Sequence, residues 1–244
     1  MESLYREDLA YIQAAAFGEL AQGAAPEIVR RLNTAAIQIR RVVDVGCGAG
    51  PLTAALVRAG FEATGIDSSA ELLEIARAAV PRARFLHTSL YDAEIPPCEA
   101  IVALGEPLTY HAADADADDL VKGFFQRASD VLPPGGMLIF DLIELGEPSL
   151  AGQFWSSGDD WAVLVDTKED QDSRTLVRDI ETFRRVDQFY RRGREVHRVR
   201  LFDTRTICNQ LTTCGFATET AQAYGAQRLS PRRRAFFCTR IRTA

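Results

Sequence analysis

The 244 residues carry 28 Lys and Arg against 34 Asp and Glu, a formal charge of −6. That balance argues against general nucleic-acid affinity, which needs a basic footprint to displace counterions. Length and an apolar content of 47% suit a single α/β domain spanning residues 1–244.

No apolar run is long enough to span a bilayer. The opening MESLYREDLAYIQ carries acids and lacks a signal-peptide core, so a cytoplasmic protein with no membrane partner is expected. Five cysteines, Cys47, Cys98, Cys208, Cys214 and Cys238, show neither C-x-x-C pairs nor histidines at zinc spacing. They read as reduced, mostly buried thiols, with no metal site.

Leu9, Ile12, Ala16 and Leu20 fall on one stripe, which predicts a helix from Leu4 to Leu20. A second is expected to start at Pro26, a residue tolerated in a first turn, and to bury Ile28, Val29 and Leu32. Residues 1–38 thus form a leading helical segment. The run RVVDVGCGAGPLTA follows, from Arg41 to Ala54. Val42, Val43 and Val45 suit a strand buried on both faces. Gly46, Gly48 and Gly50 then make a turn with little side chain, and Leu52, Ala55 and Leu56 begin a helix. A ligand can approach such a backbone closely, and the helix start offers free N–H groups to an anion.

FEATGID is the second strand. Its Asp67 lies about 20 residues after the first glycine, where a doubly wound sheet presents a carboxylate to a ribose diol. Ser68 or Ser69 caps the next helix, with Leu72, Leu73, Ile75, Ala76 and Ala79 as its inner stripe; Pro81 ends it. ARFLHTSLYD and CEAIVALGE supply the third and fourth strands. Asp114, Asp116, Asp118 and Asp119 complement the start of a helix through Leu120, Val121, Phe124, Phe125, Ala128 and Val131. LPPGGMLIFDLIE gives the fifth strand. Alternation of strand and helix implies a parallel, doubly wound sheet.

Within residues 142–202 the pattern changes. WAVLVDT, RTLVRDIETFRRV and QFYRRGREVHRVRLF read as three extended stretches of an inserted antiparallel ribbon. A helix from Asp203 or Thr204 buries Ile207, Leu211 and Cys214, with Gly215 as its C-terminal cap. FATETAQAY and AFFCTRI close the chain as two strands.

The D-x-G-x-G-x-G pattern of Asp44, Gly46, Gly48 and Gly50 differs from the G-x-G-x-x-G of nicotinamide and flavin folds. With Asp67, it resembles the first motif of the class I S-adenosylmethionine (SAM) dependent methyltransferases. The resemblance covers about Ile39 to Phe140 and, more loosely, the last helix and strands. It implies a seven-stranded, mostly parallel sheet with an antiparallel last strand. It also implies SAM as cofactor, with S-adenosylhomocysteine as product.

On this resemblance the backbone of Gly46, Cys47 and Gly48 faces the carboxylate end of SAM, and the Cys47 thiol has no role. Asp44 lies near the ammonium and Asp67 accepts the ribose hydroxyls, beside Ser68. Ile66 and Leu90 flank the adenine, and Ser89 or Asp92 reaches its amino group. Ala103 and Leu104 flank the sulfonium. Tyr11 and Phe17 are lid contacts.

Candidate catalytic residues are Glu106 and His111 in ALGEPLTYH, beside Tyr110, and His197 in the ribbon. Alternation puts His197 on one face with Val199 and Leu201, turned inward, while Arg198 and Arg200 share the other. Trp161 and Tyr190 are candidate acceptor contacts. The arginines at 184, 185, 191, 192, 194, 198 and 200, and Arg232 to Arg234, read as a solvated or ion-paired surface. Gly105-Glu106-Pro107-Leu108 stands where nucleic-acid amino-methylating enzymes carry N/D-P-P-Y/F, so the expected acceptor is a small molecule. A monomer or homodimer with no nucleic-acid partner is expected. The rivals are a non-catalytic SAM-binding scaffold and, disfavoured by glycine spacing, a nicotinamide oxidoreductase.

Overall fold

The computed structural model describes residues 4–110 and 117–241; His111, Asp114 and Asp116 lie outside them. Two helices lead the chain, α1 (Glu7–Ala16) and α2 (Glu19–Asn33). They alternate thereafter with strands: β1 (Arg41–Val45), α3 (Pro51–Arg58), β2 (Glu62–Asp67), α4 (Ala70–Ala79), β3 (Arg84–His87) and β4 (Ala100–Ala103). After a single 3-10 turn come α5 (Ala117–Val131) and β5 (Met137–Ile143). The ribbon is β6 (Gly152–Ser157), β7 (Trp161–Asp170), β8 (Thr175–Val186) and β9 (Phe189–Arg200). Then follow α6 (Thr204–Thr213), β10 (Phe216–Ala221), the small hairpin β11 (Ala223–Tyr224) and β12 (Gln227–Arg228), and β13 (Arg233–Arg240).

The main sheet has seven strands in the order β10-β13-β5-β4-β1-β2-β3. β1 pairs in parallel with β2 and β4, β2 with β3, and β4 with β5, whereas β13 runs antiparallel to both β5 and β10. Strand direction alternates side chains between two cores. Val43, Val45, Ile101, Ala103, Leu138 and Phe140 meet α5 and α6 on one face. Val42, Ala100, Val102 and Ile139 meet α2 and α3 on the other. The chain moves outward through β2 and β3, then crosses back to β4 on the opposite side of β1. The ends of β1 and β4 therefore form the crevice where such sheets take ligands.

Three expectations change. The first helix stops at Ala16 and α2 begins at Glu19, so Pro26 sits inside a helix rather than opening one. Pro26 forgoes one N–H bond, and the burial of Ala24, Ala25, Ile28 and Leu32 holds the helix through it. The ribbon has a fourth strand, β6, paired with β7 from Gly152↔Thr167 to Ser157↔Ala162. Its residues are almost all exposed, so no buried face marks it in the sequence. Ala79, assigned to the inner stripe of α4, is exposed.

Candidate active site

The glycine turn is built by the backbone. Gly46 and Cys47 donate to the Ile66 carbonyl at 2.7 and 3.1 Å, while Gly50 closes on the Cys47 carbonyl at 2.9 Å. Gly46, Gly48 and Gly50 have φ of +69°, +54° and +82°, a region that costs other residues steric strain. A Cβ on Gly46 would lie 2.4 Å from Cβ of Pro107, whereas one on Gly48 would meet nothing within 4 Å. The first turn thus packs against the loop after β4, and the second faces open space.

Two carboxylates flank the turn. Asp67 closes β2 and accepts from the Gly48 N–H at 2.8 Å and the Ser69 N–H at 2.9 Å. Burial raises its pKa, and those N–H groups oppose the rise. Asp44 is 2% exposed and accepts the Thr53 hydroxyl at 2.5 Å. Burial pushes its carboxyl up to about 7, against the Thr53 hydrogen bond. Among the described residues no cation bridges it.

Beside the turn lies a polar cluster. Glu106, φ +64° and 3% exposed, follows β4. Its N–H and that of Gly105 donate to Asp141 on β5 at 2.8 and 3.0 Å, which holds this conformation in place. Its carboxylate receives Arg178 from β8 on one oxygen and Arg233 from β13 on the other, each at 2.6 Å. Burial alone raises the Glu106 pKa, but the two guanidinium charges and their hydrogen bonds outweigh it and hold the carboxyl at about 2. Arg178 also donates to the Tyr110 hydroxyl at 3.0 Å, which lies 3.2 Å from that of Tyr5. His197, 1% exposed, sits edge-on to the rings of Tyr5 and Tyr110, with centroids 4.9 and 5.8 Å away.

The leading segment covers this cluster. The Tyr5 and Arg6 N–H groups donate to Glu195 at 2.8 and 2.9 Å, and Ser69 Oγ donates to the Tyr5 carbonyl at 3.0 Å. Leu9 and Ile12 of α1 pack on Trp161, Val163 and Ile180 of the ribbon. Arg191 grips Asp8 with two bonds, at 2.7 and 2.5 Å.

The sequence-derived candidates separate accordingly. Asp44, Gly46, Cys47, Gly48, Asp67 and Ser68 gather around the turn, with Ser68 exposed. Ser89 and Leu90 lie beyond β3, Leu90 partly buried against the core. Ala103 and Ile66 are fully buried among core side chains. Phe17 stands at the end of α1 against Phe154 of β6, 6.4 Å between centroids. Tyr190 is 59% exposed near the ribbon tip, and Trp161 is a packing residue under α1.

Glu106 has both oxygens occupied by guanidinium groups, which makes it an anchor rather than a free base. Arg232, Arg233 and Arg234 are ion-paired, to Glu169, Glu106 and Glu144, and Arg232 is only 5% exposed. Arg178, Glu195 and Tyr5 were missed as site residues. Arg178 was legible in principle, since it shares a strand face with buried Leu176 and Ile180 and registers opposite His197.

A doubly wound sheet with a bare-backbone turn at its switch point and an acid closing the neighbouring strand defines a Rossmann-like, nucleotide-cofactor fold. Residues 42–136 match the family described as a methyltransferase domain. The fold superposes on an S-adenosylmethionine-dependent methyltransferase from Clostridium acetobutylicum with a TM-score of 0.81 at 19% identity, covering 96% of this chain and 98% of that one. CalS10, an amino pentose methyltransferase from Micromonospora echinaspora solved with SAM bound, aligns over 94% of this chain and 96% of its own, with a TM-score of 0.74 and 17% identity. In sequence, 187 residues (72% of the chain) are 27% identical to Bacillus subtilis YqeM, which bears a methyltransferase name, across 73% of its length. In sequence over residues 42–136, and in fold over nearly its whole length, the chain is similar to the SAM-dependent methyltransferases, enzymes that use SAM as cofactor.

Its residues fit that cofactor. Gly48 leaves room at the turn, Asp67 stands at the strand end, and Asp44 is a desolvated carboxylate without a cation. Among the described residues no helix is long and apolar enough to cross a membrane.

Proposed function

We propose that the acceptor is a small polar metabolite, methylated at nitrogen or oxygen, held in the polar cluster under the ribbon. The observation that carries this reading is the convergence of Tyr5, Glu106, Tyr110, Arg178 and His197 beside the glycine turn. They come from the leading segment, the loop after β4 and the ribbon. Residues 1–38 and 142–202 act as a cap over one catalytic domain, and a site covered in this way suits a small acceptor better than a polymer. The name of CalS10, an amino pentose methyltransferase, agrees with this size class.

When bound, SAM supplies an activated methyl group and a thioether leaving group. The chain then has to bind, align and exclude water. Asp44 receives the ammonium, the backbone of Gly46, Cys47 and Gly48 the carboxylate, and Asp67 with Ser68 the ribose. Ser89 and Leu90 border the adenine, and the Ala103 backbone ends beside the sulfonium. Glu106 locks the chamber walls together. His197 faces the acceptor.

A metabolite pool incubated with methyl-labelled SAM tests the reading: label is expected in a small polar product, together with S-adenosylhomocysteine. SAM binding without transfer to any pool component would favour the scaffold instead. Asp67→Ala is expected to weaken SAM at least tenfold, because the ribose loses a desolvated acceptor; calorimetry reads it directly.

A further inference from the structure

The atoms around His197 go further, on the basis of the chamber just proposed. Its Nε2 lies 2.9 Å from Oε2 of Glu195, two residues back on the same face of β9. That carboxylate also accepts the Tyr5 and Arg6 N–H groups, so it is an ionised acceptor and the proton between the two belongs to Nε2. In the neutral ring Nδ1 therefore carries a lone pair. Nδ1 is buried and has no hydrogen-bond partner, a rare condition that costs free energy unless a ligand meets it.

The remaining charges are committed elsewhere. Arg178, opposite His197 in register, is held by Glu106 and Tyr110, and Arg233 by Glu106. Arg6, more than half exposed, reaches Glu195 from outside at 3.7 Å. Among the described residues, both guanidinium groups of the cluster are paired with carboxylates, Arg178 with Glu106 and Arg233 with Glu106 and Asp141, whereas His197 Nδ1 offers a proton-accepting lone pair.

We propose that Glu195 is a positioning residue that fixes the His197 tautomer, and that His197 Nδ1 takes a proton from an acceptor arriving as a primary or secondary ammonium. The N–H bond of the acceptor breaks, its electron pair stays on nitrogen as the nucleophile, and the proton moves to Nδ1 and later to solvent. An ammonium, with a pKa near that of Lys, about 10, lies several units closer to an imidazole than an aliphatic alcohol does, so the dyad takes its proton more readily. The acceptor class this favours is an amine.

The three histidines of the chain make the test direct. In full-length protein labelled with 15N-histidine, His197 is expected to show protonated Nε2 and bare Nδ1 at pH 7.5. Glu195→Gln, whose amide can donate to Nε2, is expected to shift the tautomer ratio at least tenfold toward protonated Nδ1. A protonated Nδ1 in the wild type, or an unchanged ratio in a folded Glu195→Gln, overturns the dyad. With S-adenosylhomocysteine present, glucosamine, glycine and ethanolamine are compared with glucose, glycolate and ethylene glycol. The amines are expected to move the Nδ1 resonance more than their partners, and His197→Gln to abolish their extra thermal stabilisation. No greater response to the amine in any pair overturns the amine assignment. Calorimetry with S-adenosylhomocysteine separates these failures from failure of the methyltransferase reading, since its binding does not depend on the tautomer.

Discussion

Gly46 and Gly48 are equivalent in the motif and differ in three dimensions. An alanine at Gly46 takes on both a left-handed backbone and a 2.4 Å clash with Pro107. Gly46→Ala is therefore expected to cost roughly 3–5 kcal/mol of stability, read by urea unfolding. Gly48→Ala should cost about 1 kcal/mol for the backbone alone, yet weaken SAM at least tenfold because its Cβ enters the open side of the turn. Asp44 gives a second test at this scale. Burial pushes its carboxyl up to about 7, and it must ionise to receive an ammonium. SAM affinity is expected to hold above pH 7 and to fall up to tenfold per unit between pH 7 and pH 5. Asp44→Asn should weaken binding and flatten that slope; an equally steep slope would place the titrating group elsewhere. The glycines and acids were legible because backbone geometry and strand-end position follow from local spacing. The guanidinium pair on Glu106 was not, since Arg178 and Arg233 lie 72 and 127 residues away from it in sequence.

At the scale of elements, the sequence was informative wherever burial imposed a period. The central strands of the main sheet read as continuous apolar runs because both their faces are buried, and α5 and α6 repeat every three to four residues because each must hide one face. β6 hides none, and Pro26 misled because propensity yields to packing inside α2. The element with most bearing on access is α1, which packs on the ribbon and α4. Ile12 is fully buried in that contact. Ile12→Ala is expected to remove about 3 kcal/mol from the docking of α1. Hydrogen exchange should then quicken across Glu7–Ala16 while β1 and β4 stay protected, and SAM should dissociate faster. Uniform loss of protection would show that α1 is integral to the folded core rather than a separately docked cover.

Over the whole molecule, three glutamates are among the carboxylates that tie the ribbon down. Glu106 joins Arg178 of β8 to Arg233 of β13, Glu169 of β7 holds Arg232, and Glu195 of β9 holds the leading segment. In each case burial opposes ionisation and is outweighed by guanidinium or N–H partners, so the folded pKa is depressed. The sign follows: their stabilisation is complete above the ordinary carboxylate range and is lost as pH falls toward the folded values, about 2 for Glu106. For Glu106 the linkage is worth roughly 3 kcal/mol. Asp44, with its raised pKa, acts oppositely: protonation between about 7 and the ordinary range favours the folded state. Acid should therefore release the ribbon before it melts the central sheet. Both tryptophans, Trp155 and Trp161, lie in the ribbon, and only Trp161 is buried. In Trp155→Phe, the emission of Trp161 is expected to shift to the red between pH 5 and pH 3 ahead of the loss of far-ultraviolet dichroism. Glu106→Gln, which leaves two buried guanidinium groups facing a neutral partner, is expected to lose about 3 kcal/mol at pH 7 and to flatten the acid limb. Coincident fluorescence and dichroism transitions would mean that ribbon and sheet unfold as one unit, and that the Glu106 bridge stabilises the whole fold rather than the seating of its roof.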